Sequence, residues 1–291
     1  MNPDGNTLHA AILTLFETNR NLVSAKILVH RGPDQEDAIH DLRVATKKIR
    51  TVFRLIEFIA QDRFRQKKQI AGLRALFQAA GVLRELQVDE GVLWVFEDLH
   101  LAFYRRLSQQ LAAERKSAQP LYERSRKAFE IACLDRPEKK LRKILAAISE
   151  EDLVAKTKEL VKIRMGQMHE VMPRTYDPER VHKSRIYLKE AMYLMGLLTQ
   201  AGYSDALDVG LLDGAKAAAE VAGDWHDREV FYEWLQIQLR PGAALMGKEA
   251  DYRLLLQDLH VQTRNQVVAF RKALNALQKL HAQVVVEEAE G

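Results

Sequence analysis

IHDLRVATKK at residues 39–48 and VHKSRIYLKE at residues 181–190 read as one helix written twice. His40 and His182 lie 142 positions apart, as do Arg43 and Arg185, and Lys47 and Lys189. The offset continues without a gap through Leu55 and Leu197, Gly72 and Gly214, Arg74 and Lys216, and Gly81 and Gly223. Further on, Arg84 falls on His226, Glu85 on Asp227 and Val88 on Val230. A fixed offset that preserves polar chemistry points to an internal duplication, with halves near 1–135 and 136–291. Apolar residues recur at spacings of three and four, and no stretch alternates as a strand would. The expected fold is therefore all-α: one domain made of two pseudo-symmetric four-helix bundles, with short connections that favour antiparallel neighbours.

The periodicity predicts helices near 6–30, 35–60, 63–84, 87–116, 120–133, 137–147, 150–171, 177–200, 204–222, 226–239 and 248–282. Pro33, Pro120, Pro137, Pro173, Pro178 and Pro241 are read as breaks between them. Gly81 and Gly223 suit either a helix C-cap or a close approach of backbone. Glu85 and Asp227 are read as N-caps of the helices that follow.

On a helical wheel His40, Arg43, Lys47, Arg50 and Arg54 share an arc of about 80°. Leu42, Ala45, Ile49, Val52, Phe53 and Ile56 occupy the opposite side. His182, Arg185 and Lys189 repeat the arrangement, with Ala191, Leu194, Met195 and Leu198 opposite. Solvated helix faces mix signs, with acids three or four residues from bases. Here Arg43, Lys47, Arg50, Arg185 and Lys189 have no acid at those spacings; only Arg54 has one, Glu57. Two unneutralised stripes at matching positions imply that an external anion completes them. Arg63, Lys67, Arg74 and Arg84 add a cationic face on the next helix, and Lys216 and His226 are its weaker counterpart. Arg20 and Lys162, matched on the first helix of each half, are candidate contributors.

The net charge of +4, from 44 basic and 40 acidic residues, says little by itself. Cys133 is the only cysteine, which excludes an intrachain disulfide and fits a reducing compartment. The start lacks the pattern of a signal peptide and no apolar run approaches a membrane span, so a cytoplasmic protein without membrane contact is expected. Nine histidines raise the question of metal, yet none forms an i, i+4 pair and the stripes are cationic, so no metal or other cofactor is expected. No P-loop, G-x-S-x-G elbow or carboxylate set for Mg²⁺ accompanies the stripes, so no catalytic residue is assigned. A better role for the histidines is hydrogen bonding beside phosphate, where a nearby anion favours the imidazolium. The runs KKLRK at 139–143 and RSRK at 124–127 are read as solvated surface between the halves.

The paired H-x-x-R-x-x-x-K helices, each followed about forty residues later by GVLRELQV (81–88) or GDWHDREV (223–230), resemble the conserved histidine α-helical domain, CHAD. The resemblance covers about residues 6 to 283. It implies two pseudo-symmetric helical bundles whose basic residues line a cleft that binds inorganic polyphosphate. Its anion-contacting positions correspond to His40, Arg43, Lys47, Arg50, Arg74 and Arg84, and to His182, Arg185, Lys189, Lys216 and His226. Met192 stands where the first copy has Arg50, and Gly196 where it has Arg54, so a weaker second stripe is expected. The E-x-E-x-K motif of the triphosphate tunnel domains attached to many relatives is absent, which implies a stand-alone, non-catalytic binding module. Proteins of polyphosphate metabolism and polyphosphate granules would then be natural company. Nucleic-acid binding shares the electrostatics but wants stacking aromatics, which make up only 7% of the chain. Phosphotransfer through His40 or His182 is a further alternative, one that needs an orienting base the sequence does not reveal.

Overall fold

A computed structural model describes residues 7–29, 32–96, 101–204, 206–243, 245 and 249–290. Its elements are α1 (Leu8–Lys26), α2 (Gln35–Ala60), the short α3 (Gln66–Gln69), α4 (Arg74–Trp94), α5 (Leu101–Ala128), α6 (Asp135–Leu145), α7 (Glu150–Val171), α8 (Pro178–Gln200), α9 (Ala206–Gln238) and α10 (Glu249–Glu290). Single 3₁₀ turns, Ala71–Leu73 and Ile131–Leu134, precede α4 and α6. There is no strand among the described residues, and none of their helices is long and apolar enough to cross a membrane.

Local chemistry sets the helix ends. Thr7, Ser149 and Asp177 cap α1, α7 and α8, accepting from the backbone N–H of Ala10, Asp152 and Arg180 at 3.2, 3.1 and 3.1 Å. Pro178 opens α8, where its missing N–H costs nothing. Glu36 and Asp37 in α2, and Glu150 to Asp152 in α7, place negative charge at the positive ends of those helices. Gly202, at φ 76°, turns the chain out of α8, and Tyr203 N–H closes the last turn on the Leu198 carbonyl at 2.9 Å.

Several expected breaks do not occur. α4 runs straight through 84–87 and α9 through 222–226, so Gly81 and Gly223 are helix-interior and Glu85 and Asp227 cap nothing. An interior glycine costs about 1 kcal/mol relative to alanine, which the packing of long helices readily outweighs. Pro120 lies inside α5 at an exposed position, where the carbonyl it deprives of a donor can turn to water. Conversely, 63–84 is not one helix: Arg63 follows α2 in a turn and Lys67 sits on α3.

The helices pack as hairpins: α1 on α2, α4 on α5, α7 on α8 and α9 on α10. The largest apolar core draws on both ends of the sequence. It joins Ile12 and Phe16 of α1, Ile49 and Phe53 of α2, Leu141 of α6, Leu160 of α7, Leu188 and Leu194 of α8, Trp225 of α9 and Phe270 of α10. Phe53 centres an aromatic trio, 5.7 Å from Phe16 and 5.3 Å from Phe64. Each such side chain contributes about 1.5–3 kcal/mol on burial. A second core unites α4 and α5 with α9 and α10 through Leu93, Leu111, Phe231 and Tyr252. A third fastens Ile39 and Leu42 of α2 to Leu76 and Leu83 of α4 and Tyr122 of α5. The largest core therefore crosses residue 135, and α2, α9 and α10 each feed two cores. This packing sets α2 against α8 and α4 against α9, with α4 also on α2 and α9 on α8.

Candidate anion-binding site

The polar stripe of α2 begins at His40 and Arg43, opposite the apolar face that enters the cores. Arg43 donates to the Phe77 carbonyl of α4 at 3.1 Å and lies 4.7 Å from the centre of the Phe77 ring. Arg50 covers the same ring at 5.5 Å. Gly81, one turn along α4, is where the Arg43 guanidinium passes the backbone; a Cβ there would collide with its Nη1. Close approach, not helix termination, is the use of this glycine. Burial pushes the pKa of both arginines down.

Lys47 is the junction of the two stripes. Its ammonium is pushed down to about 7, first by lost hydration and then by Arg43, Lys189, Arg185 and Arg50. Two of those cations belong to α2 and two to α8. Lys189 is lowered to about 8 by burial and by Arg185, with Asp227 opposing. Arg185 is lowered by burial, against Asp227 and Tyr193, and its Nε is buried without a hydrogen-bond partner. Desolvated cations held side by side, with a donor left open, are costly unless an anion joins them.

The histidines flank this group. The rings of His182 and His226 lie 5.2 Å apart. His182 is lowered to about 4 by partial burial and by His226, Arg185 and Lys47. Burial also lowers His226, against the pull of Asp227, whose Oδ1 lies 3.5 Å from His226 Nδ1. His40 is lowered by partial burial, Arg84 and Lys47, with Asp41 and Asp37 opposing. The surroundings thus disfavour the imidazolium of all three, and a nearby anion would favour it.

Asp227 is the acid of the group. Against the upward push of burial, His226, Arg185 and Arg84 hold its carboxyl below the usual range. Glu85 likewise sits mid-helix and favours the charged form of Arg43. Both were expected to cap helices away from the site. Because α4 and α9 continue, they face the cations instead. Arg84, half-buried, also lines an open groove of about 300 Å³ between α4 and α9, with Gln87, Val88, Asp224, Asp227 and Arg228.

Other expected members are placed differently. Arg54 is ion-paired to Glu190, not Glu57, and Glu190 also accepts from Arg164 Nε at 2.8 Å. Lys216 is exposed and pairs with Asp213 at 2.8 Å. Arg20 is bound by Asp135 and Glu138. Arg74, the exposed first residue of α4, lies about 15 Å along the helix from Arg84. Lys162 is exposed on α7. In the basic runs, Arg142 pairs with Glu138 and Glu17, and Arg126 with Glu123. Phe77 and Glu190 were not singled out from sequence. Tyr193 had a signal: its wheel position, about 20° from His182, lies within the cationic arc of α8. Among the described residues, no three or more His, Cys, Asp or Glu side chains are placed to hold a metal ion.

A family model described as "CHAD domain" matches residues 15–236. The fold is similar to the crystal structure of the CHAD domain from the plant Ricinus communis, with TM-score 0.67 and 15% identity over 93% of this chain and 92% of that one. No curated protein matches the sequence.

Proposed function

The chain belongs to the CHAD domain family, and we propose that it binds inorganic polyphosphate, without turnover, between α2 and α8. One observation carries the reading. Arg43, Lys47 and Arg50 from α2 and Arg185 and Lys189 from α8 lie close together, and burial, with the neighbouring cations adding to it, presses Lys47 to about 7, while Asp227 favours the charged forms of Arg185 and Lys189. A linear polyanion relieves that repulsion. Each charge-assisted contact contributes about 1.5–3 kcal/mol where desolvated. His40, Arg84, His182 and His226 frame the anion as hydrogen-bond donors. Met192 and Gly196 bring no charge to the far edge of α8, so α2 supplies the larger share of the grip. Arg74, Lys216 and Lys162 are exposed, and their part is long-range attraction of the approaching anion. The helix pairs α1/α7, α2/α8, α4/α9 and α5/α10 follow in the same order, with Leu8 and Glu150 opening α1 and α7 at the offset of 142. We read this as an internal duplication whose halves share cores across the boundary.

Two rivals are weaker. Phe77 is covered by Arg43 and Arg50, so its ring is not free to stack on a base. Phosphotransfer through His40 or His182 wants an orienting base, and among the described residues neither makes an ion pair with a carboxylate; Asp227 lies instead 3.5 Å from His226. The test is binding of long-chain polyphosphate to the wild type and to Arg43→Glu/Lys47→Glu/Arg185→Glu/Lys189→Glu, with RNA as competitor and Mg²⁺ added to detect turnover. Loss of binding in the variant is expected. Equal affinity of both proteins, or displacement by RNA at equal phosphate concentration, would refute the proposal.

A further inference from the structure

Beyond Arg50 the row of cations runs into a buried acid. Glu190 is 6% exposed and sits on α8 in register with Lys48, where the first copy carries a base. It is held by Arg54 of α2 on one side and by Arg164 of α7 on the other. Arg164 is further fixed 5.7 Å from the centre of the Tyr187 ring. Arg54 adjoins Arg50, whose charge it feels. The order of groups is therefore Arg43, Lys47, Arg50, Arg54, Glu190, Arg164. Among the described residues the first three have no carboxylate ion pair, and the next two arginines share one carboxylate.

Resting on polyphosphate binding as proposed above, we infer that Glu190 occupies from within the chain the place of a further phosphate, and so ends the polyanion track and limits how many phosphates the site engages. A carboxylate between two guanidiniums is the internal counterpart of one phosphate between two arginines. While it stays there, Arg54 and Arg164 are both engaged by the one carboxylate, the trio keeps a single positive charge instead of two, and the acid weakens the pull on an anion advancing past Arg50. A chain longer than the open row gains no further contacts from its extra units. Its remainder projects into solvent, free to meet another protein or a second copy.

Glu190→Gln removes the internal anion and keeps the size of the side chain. The experiment measures binding of polyphosphates of graded length to wild type and Glu190→Gln as a function of salt. The slope of log affinity against log salt counts the phosphates neutralised, whatever the number of binding registers on a long chain. For wild type the slope should rise over short chains and then stay constant. For Glu190→Gln it should rise further with length, with long chains bound about tenfold more tightly, the equivalent of one charge-assisted contact. A folded variant with the wild-type slope and affinity overturns the inference. So does a wild-type slope that keeps growing with chain length, a result that needs no variant. Absence of polyphosphate binding in both proteins would instead overturn the functional reading beneath it, and this inference with it.

Discussion

Lys47 should stabilise the protein when it is removed. Its native pKa of about 7, against 10.5 unperturbed, means that the charged form is disfavoured by folding. At about 1.36 kcal/mol per unit, keeping the ammonium charged in the native state costs about 4–5 kcal/mol. Solvent screening at a half-buried side chain reduces this to about 2 kcal/mol. Lys47→Met retains the aliphatic stem and deletes the charge. The sign with pH follows from a native pKa below the unfolded one. The penalty is full below pH 7, shrinks as pH rises from 7 toward 10.5, and is absent above that. Urea unfolding of wild type and Lys47→Met, without ligand, should show the variant more stable by about 2 kcal/mol at pH 6 and the gap narrowing by pH 9.5. Polyphosphate should reverse the order, because it stabilises the wild type by mass action and the variant much less. A variant less stable than wild type at pH 6, or a gap that does not change with pH, would refute the idea that this lysine is held charged against its surroundings.

Two further outcomes follow from the same site. Polyphosphate affinity should fall as pH rises from 7 to 9, through the values of about 7 for Lys47 and about 8 for Lys189, and binding at pH 8 should take up protons; calorimetry in two buffers of different ionisation enthalpy measures this. Gly81→Ala should displace the Arg43 guanidinium and weaken polyphosphate binding several-fold, while urea unfolding shows stability unchanged or raised by up to about 1 kcal/mol, since alanine is the better helix former.

The sequence was most readable where chemistry repeated. The two H-x-x-R-x-x-x-K helices were found together with their faces, because an amphipathic helix must bury its apolar arc and expose the other. The breaks read at Pro33, Pro173, Pro178 and Pro241 do separate helices, whereas those read at Gly81, Gly223 and Pro120 do not. Gly81 and Pro120 have the local character of breaks, and tertiary packing overrode both. Glu85 and Asp227 were misplaced as a consequence, since their reading as caps depended on a break before them. The partner of Arg54 could not be read from α2 at all. Glu57 was the visible acid, one helical turn away, whereas Glu190 arrives from a helix more than a hundred residues later. Periodicity shows which side of a helix faces outward from the core, but not which other helix it will meet.

The largest core has a consequence for synthesis. Phe16, Phe53 and Ile56 share the largest core with Leu188 and Leu194 of α8, and the last residue of α8 is Gln200, 140 positions after Ala60 ends α2. At about 5–20 residues per second on the ribosome, the first hairpin waits about 7–28 s with an oily flank open to solvent. A chaperone that shields nascent chains, or a slow codon stretch placed elsewhere than between α2 and α8, would then govern how much of this protein escapes aggregation.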